Sequence, residues 1–261
     1  MIKLMQAPSA SELLAVWERA RAQPVTTQAL MLLEAAEPDS RGEELSRLSV
    51  GRRDGRLLAL REALFGARLV GLTACPQCGQ QLELSIHTSE LRASQLRTTA
   101  QHDVPETLSL RNGGYEATFR LPNSEDLAAL TERDVPHDEQ DAIRDLLSRC
   151  LVELRRNGRR QKPNALRAMP LELIEAIAAE MEKADPQANV QLNLRCANCG
   201  HQWESPFDIV SFLWSEIDNW ARRMLHEVCV LASAFSWREA DILAMSTQRR
   251  RVYIQMIGET A

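Results

Sequence analysis

Between Ser9 and Phe65 apolar residues recur at three- and four-residue steps, the period of helices that bury one face. Leu13, Leu14, Val16 and Trp17 form the first such stripe. Ser9 precedes it with Glu12 at capping-box spacing, in which the hydroxyl accepts from a free first-turn amide and the glutamate reaches back. Ser40 and Glu43 repeat that spacing. Along residues 52–65, Leu57, Leu58, Leu60, Leu64 and Phe65 gather on one side, so the arginines of this segment read as a solvated face, with a grip on an acidic partner surface the alternative.

From Ala67 the period falls to two. In ARLVGLTACPQCGQQLELSIH a short run precedes a cysteine pair and Leu82, Leu84 and Ile86 alternate after it, which predicts a hairpin with CxxC at its turn. VQLNLRCANCGHQWESPF repeats the arrangement, with Val190, Leu192 and Leu194 before the pair and His201 and Trp203 after it. Between the two, GGYEATFRL predicts a strand after a Gly-Gly turn, and Asn123 or Ser124 caps a helix over EDLAALTE. A longer helix is expected after Pro136 to about Leu154, then a basic loop over residues 155–164. Pro170 sits at the first turn of the next helix, where its missing N–H costs little. Past Phe207 the helical period returns, with Ile217, Trp220, Met224, Val228 and Leu231 on one buried face. Ser236 with Glu239 offers a third capping box, and Ser246 starts the last helix.

Two CxxC pairs take four of the six cysteines. A compact zinc ribbon repeats its pair after about 15 to 20 residues, whereas here the second pair begins more than a hundred positions beyond Cys78. Loop-closure entropy grows only with the logarithm of length, so this separation is no obstacle to a shared site. Gly79 and Gly200 follow the pairs and free the backbone to bend around an ion. The sequence therefore predicts one structural Zn2+ held by Cys75, Cys78, Cys196 and Cys199. Four thiolates leave no open coordination position, so such an ion staples the fold and activates no water. Redox chemistry is disfavoured because strands, not a helix N-terminus, flank both pairs. His87 or His201 could replace one cysteine as ligand, but a place beside the site or on the surface is the favoured reading for both, and Cys150 and Cys229, in apolar helical runs, read as small buried hydrophobes.

Composition narrows the function classes. A 44% apolar chain of 261 residues can bury a sizeable core, and a net charge of -5 offers no broad attraction for nucleic acid or anionic lipid. RRNGRRQK and the run Arg249, Arg250 and Arg251 are basic, but aromatics make up 5% of the chain and do not interleave with them, which disfavours nucleic acid as a partner. MIKLMQAPSASELL lacks a signal-peptide core and no run of about 18 apolar residues occurs, so a cytoplasmic protein without a membrane partner is expected. No phosphate-cradling loop, HExxH or nucleophile elbow is present, and His102, His137 and His226 stand isolated. No catalytic residue is assigned; the chain reads as a non-enzyme.

These pieces fit one architecture: an α+β protein, mainly α-helical, with helical N- and C-terminal regions around a split four-cysteine zinc ribbon that carries an inserted helical lobe. The boundaries are 1–66 and 207–261 for the helical regions, 67–90 with 187–206 for the ribbon halves, and 91–186 for the lobe.

The order WERA, GRRDGRLLALREALFG, CPQCG, FRLPNSEDL, CANCGHQW and FLWSEIDNWARRMLHEVCVLASAFSWREADILAMSTQRRRVYI resembles the baseplate proteins of T-even-type phages, hub subunits or hub assembly chaperones that also occur in phage-derived contractile injection systems. Its most specific part is the block from Trp214 to Tyr253, and one departure is Cys229, where the family pattern has histidine. The resemblance implies an assembly role without catalysis, with hub, spike or tail-tube proteins as partners. A zinc-ribbon nucleic-acid-binding or regulatory module is the alternative. Interfaces use Trp and Arg disproportionately, so Trp214, Trp220, Trp237, Arg222, Arg223, Arg249, Arg250 and Arg251 are the candidate partner surface, with burial in the core the competing role for each tryptophan.

Overall fold

Ser9 caps the first helix as its spacing predicts, its hydroxyl accepting from the Glu12 amide while the Glu12 carboxylate accepts from the Ser9 amide at 2.8 Å. The structure is a computed structural model that describes residues 5–92, 106–131, 139–161 and 169–260. The chain runs through α1 (Ala10–Ala20), α2 (Val25–Ala36), α3 (Gly42–Ser46) and α4 (Val50–Phe65) into a hairpin of β1 (Arg68–Ala74) and β2 (Gln81–His87). Short α5 (Thr88–Leu91) is followed by β3 (Leu108–Asn112), β4 (Tyr115–Phe119), α6 (Ser124–Thr131), α7 (Glu139–Cys150), β5 (Leu151–Arg156) and β6 (Arg159–Arg160). Then α8 (Leu171–Ala184) leads through a 3-10 turn, Pro186–Ala188, to a second hairpin, β7 (Gln191–Arg195) and β8 (Gln202–Pro206). The helices α9 (Ile209–Phe235), α10 (Glu239–Leu243) and α11 (Thr247–Thr260) come last. This is the mainly helical α+β class that the sequence predicts. Among the described residues no helix is long and apolar enough to cross a membrane.

The chain divides into two units, Met1–Ser40 with Ile209–Ala261, and Arg41–Asp208. The sequence reading groups residues 41–66 with the N-terminal helices, whereas their contacts lie in the second unit. In the first unit Leu13, Leu14, Val16 and Trp17 of α1 are buried, as are Leu32 and Leu33 of α2 and Leu213, Ile217, Ala221, Met224 and Leu231 of α9. Trp220 and Val228 flank that last stripe half-buried. The Trp17 indole donates to Asp218 at 2.8 Å, so its one polar atom is satisfied inside the packing. Two further expected capping boxes do not form. Ser40 donates instead to the Glu37 carboxylate at 3.0 Å, and α3 starts after Arg41 with no side-chain cap. Ser236 adopts φ 54, and the cap residue of α10 is Arg238, with no side-chain cap bond. Ser246 does accept from the Arg249 amide at the start of α11.

The second unit holds two two-stranded hairpins and a four-stranded antiparallel sheet in the order β3-β4-β5-β6. One face of that sheet packs Ala117, Phe119 and Leu154 against Leu147 of α7 and Leu173, Ile174 and Ile177 of α8. Two expectations are corrected here. The helix after Pro136 ends at Cys150, and Leu151–Arg156 is a strand whose Leu154 points into this core. The basic loop is in its described part a hairpin: Arg155 pairs with Arg160 and Arg156 with Arg159 across Asn157 and Gly158, both at positive φ. Asn-Gly is the strongest two-residue hairpin signal, because both central residues must take that conformation. Pro136, His102, His137 and residues 162–164 lie outside the described residues.

The arginines of α4 are also corrected. Arg53 and Arg61 are 4% and 2% exposed, so this helix is packed on more than its leucine side. Burial is tolerated because each guanidinium is hydrogen-bonded: Arg53 to Asp54 at 2.8 Å and Ser124 at 3.3 Å, Arg61 to the Gly66 carbonyl at 2.6 Å.

At the start of α6, Asn123 accepts from the Asp126 amide and Asp126 from the Asn123 amide, each at 3.0 Å, a capping box built from Asn and Asp. Arg120 clamps the same carboxylate with two bonds, at 2.6 and 2.9 Å. Burial alone would raise Asp126, but the bonds from Arg120 and the Asn123 amide, with the charges of Arg120 and Arg149, outweigh it and hold the carboxyl below its usual range. A folded-state pKa depressed in this way contributes stability above the unfolded value of about 3.9 and loses it as pH falls through the folded value. Asp126→Ala should therefore lower stability by about 2–4 kcal/mol at pH 7, with the gap to the parent narrowing below about pH 4. Urea titrations at the two pH values measure this, and a gap independent of pH would contradict it.

Candidate metal centre

Each CxxC occupies the turn of a two-stranded antiparallel hairpin. Ala74 pairs with Gln81 and Arg195 with Gln202, so the ladders run up to the cysteines. Past the strands the Cys75 amide donates to the Gln80 carbonyl at 2.9 Å and the Gly79 amide to the Cys75 carbonyl at 2.9 Å. The second turn repeats this: the Cys196 amide donates to His201 at 2.8 Å and the Gly200 amide to Cys196 at 3.0 Å. Gly79 and Gly200 take φ 70 and 75, a conformation glycine adopts without strain, which closes both turns.

The two turns meet. All four Sγ atoms, of Cys75, Cys78, Cys196 and Cys199, lie within 4.8 Å of one another. Cys75 faces Cys199 at 3.7 Å and Cys78 faces Cys196 at 3.7 Å. A tetrahedral ion with metal–sulfur bonds of about 2.3 Å places its ligands about 3.8 Å apart, so the separations fit such an ion. Cys75 and Cys196 are buried while Cys78 and Cys199 are exposed, an arrangement that shields one side of the site.

The electrostatics of the quartet also suit a cation. A hydrogen bond from the Gln80 backbone outweighs desolvation and, with those from Cys199, Asn198 and Cys196, lowers the Cys78 thiol to about 6. For Cys199 the His201 backbone favours the thiolate, but desolvation and its hydrogen bonds to Cys78, Cys196 and Cys75 prevail and push it up to about 12. One thiolate thus forms readily, and a bound dication supplies the charge that lets the remaining thiols ionise. The four cysteines can hold a metal ion, and with four thiolate ligands the ion would be closed to substrate. His201 lies beside the centre with its ring stacked on Trp203 at 5.9 Å, and His87 caps α5 by accepting from the Ser89 amide. Neither belongs to the cluster.

The other two cysteines differ from one another. Cys150 is fully buried, and burial, reinforced by the Asp126 charge, pushes its thiol up to about 12. Cys229 is exposed on α9, contrary to its expected burial, because it lies off the stripe that Leu213, Ile217, Met224 and Leu231 define.

The partner-surface candidates all lie in the first unit. Trp214, Trp220 and Trp237 are half-buried, and Trp237 stacks on Phe235 at 4.5 Å and meets Tyr253 edge-on at 4.9 Å. Arg222 is exposed and paired with Asp218 at 2.8 Å, Arg223 and Arg251 are exposed, and Arg249 sits 5.7 Å above the Tyr253 ring. Arg250 differs. It is 2% exposed, bonded to Glu227 at 2.7 Å and to the Met245 carbonyl at 2.5 Å, so it is spent on joining α9 to α11. Sequence reasoning missed that role because its neighbours in RRR are solvated and only helix phase separates them.

Comparison with curated proteins and with solved structures returned no match to the chain. A family model does match, over residues 19–214, a span that includes both cysteine pairs and well over half of the chain. Its description is T4 bacteriophage base plate protein, and the chain belongs to that family.

Proposed function

We propose that this protein is a non-enzymatic assembly chaperone or structural component for the baseplate of a contractile tail or injection system, acting in the hub, spike or tube region. The observation that carries the reading is membership of the base plate family across both cysteine pairs. The four-thiol cluster supports it, because a closed Zn2+ site at Cys75, Cys78, Cys196 and Cys199 would stiffen a platform and catalyse nothing. Partner contacts fall to the first unit, where half-buried Trp237 and exposed Arg249 lie together around Tyr253, an aromatic and arginine grouping of the kind that anchors protein interfaces. Trp214, Trp220, Arg222, Arg223 and Arg251 extend that proposed surface, and Arg250 supports it from within.

Deleting the gene in its native cluster tests this reading. Negative-stain microscopy is expected to find tube or sheath parts without completed baseplates, and complementation with the parent gene restores them. Complete, contracting particles from the deletion strain would refute the assembly role.

A further inference from the structure

We propose that β1 is a pairing edge for a second copy of this chain, through an antiparallel β1 to β1 ladder centred on Gly71. This inference does not rest on the assembly role. It starts from which backbone groups point outward. In the β1–β2 hairpin the Cys75 amide bonds to Gln80 and the Thr88 amide to Ala67, so odd-numbered β1 residues face β2 at both ends of the ladder. The N–H and C=O groups of Arg68, Val70, Leu72 and Ala74 therefore point away from β2. Among the described residues β1 pairs with no other strand.

Past Arg68 this edge lacks the devices that usually keep strand edges apart. Outward positions of the other ribbon strands carry Glu83 on β2, Arg195 on β7, and Glu204 with Pro206 on β8. On β1 the outward positions after Arg68 are Val70, Leu72 and Ala74, and no charged residue occurs from Leu69 to Gln80. Val70 is 49% exposed and Leu72 is 76% exposed. An edge that is uncharged past Arg68 and carries two exposed aliphatic side chains is a template for another strand.

Self-pairing is favoured over a foreign strand because the edge complements itself. With a twofold axis at Gly71, Val70 faces Leu72 of the second copy, Leu72 faces its Val70, and Arg68 and Ala74 face each other in the same way. That register makes a hydrogen-bonded pair of every outward residue, each exchanging two bonds. Centring on Val70 or on Leu72 leaves an outward residue unpaired at the end. Gly71 then meets its own copy as a non-hydrogen-bonded pair, the position of closest Cα approach, with no side chain to obstruct it. No like charges oppose one another.

The test uses the full, metal-loaded chain. By light scattering at tens of micromolar the parent is expected at twice the 29.4 kDa chain mass, and Leu72→Lys at the single-chain mass with its metal content unchanged. Register is read in a Cys229→Ser background: Val70→Cys mixed with Leu72→Cys should form a disulfide-linked dimer faster on mild oxidation than either variant alone. A parent that is monomeric at every concentration overturns the proposal. So does a dimer that survives Leu72→Lys, cross-linking that ignores the mixture, or a monomer that accepts a strand of a different baseplate protein at β1 instead.

Discussion

Cys196→Ser should abolish metal binding by the cysteine quartet and unfold both ribbon hairpins, the largest loss expected from any single substitution in this chain. The reason is how little else holds them. Side chains of β2, β7 and β8 alternate between exposed and half-buried, and Leu69 is the one buried strand residue of the two hairpins. A two-stranded hairpin is marginal in water by itself. Structural zinc sites in peptides contribute about 10–16 kcal/mol of apparent binding free energy at pH 7, and that energy is folding energy where no site preexists. Removing one of four ligands opens the tetrahedron and returns most of that free energy. Elemental analysis should find one zinc per parent chain and far less in the variant. Hydrogen exchange should rise toward the unprotected rate over 68–87 and 191–206 in the variant and in chelator-treated parent alike. Cys150→Ser, outside the quartet, should leave metal binding intact. A metal-free parent, or strands equally protected in Cys196→Ser, would remove the staple from the account.

The meeting of the four cysteines was legible in the sequence because its signal is local and repeated. CPQCG and CANCG each contain a cysteine pair, the turn and the glycine, and the alternating runs beside them announce strands. Joining the two required only that length be no barrier, which polymer entropy supplies. The misreadings share a different physics. Arg53, Arg61 and Arg250 stand in arginine-rich helices where composition says solvent, and each is buried because residues distant in sequence or a helix terminus meet its guanidinium. Ser40 and Ser236 have capping spacing without capping backbone, since the spacing recurs by chance and tertiary packing decides where a helix starts. At 151–160 two signals competed. Helical period continued from α7 into LVELRR, while Asn157-Gly158 marked a hairpin, and the turn residues were the better guide.

A second large effect is expected at Gly51, a residue of the GRRDG stretch whose importance no local rule reveals. Gly51 lies in the first turn of α4, and its amide donates to the Asp185 carboxylate at 2.8 Å. Asp185, immediately after α8, thereby caps a helix more than a hundred residues away, and a carboxylate suits the positive end of that helix. A Cβ at Gly51 would lie 2.2 Å from Asp185 Oδ1 and 2.7 Å from the Ala188 backbone nitrogen. The carboxylate can rotate aside only by giving up its bond, and the 3-10 turn can retreat only by shifting backbone. Overpacking with the loss of a buried hydrogen bond puts the penalty of Gly51→Ala at about 3–5 kcal/mol. Gly258 is the internal contrast: it too is helical, nothing lies within 4 Å of its Cβ position, and Gly258→Ala should gain about 0.5–1 kcal/mol. Combining Gly51→Ala with Asp185→Ala should cost less than the two separate losses together, because the clash with the carboxylate disappears and only that with the Ala188 nitrogen remains. The pH response separates this site from Asp126. Burial raises the Asp185 carboxyl despite its bonds to the Gly51 amide and Ser49 and the charges of Arg52 and Arg53, so its share of stability is present at acid pH and lost as pH rises through the folded value. Denaturant titrations of the singles and the double variant decide the matter. If Gly51→Ala proves as stable as the parent, α4 and the turn after α8 do not touch at this point, and the cap assigned to Asp185 is wrong.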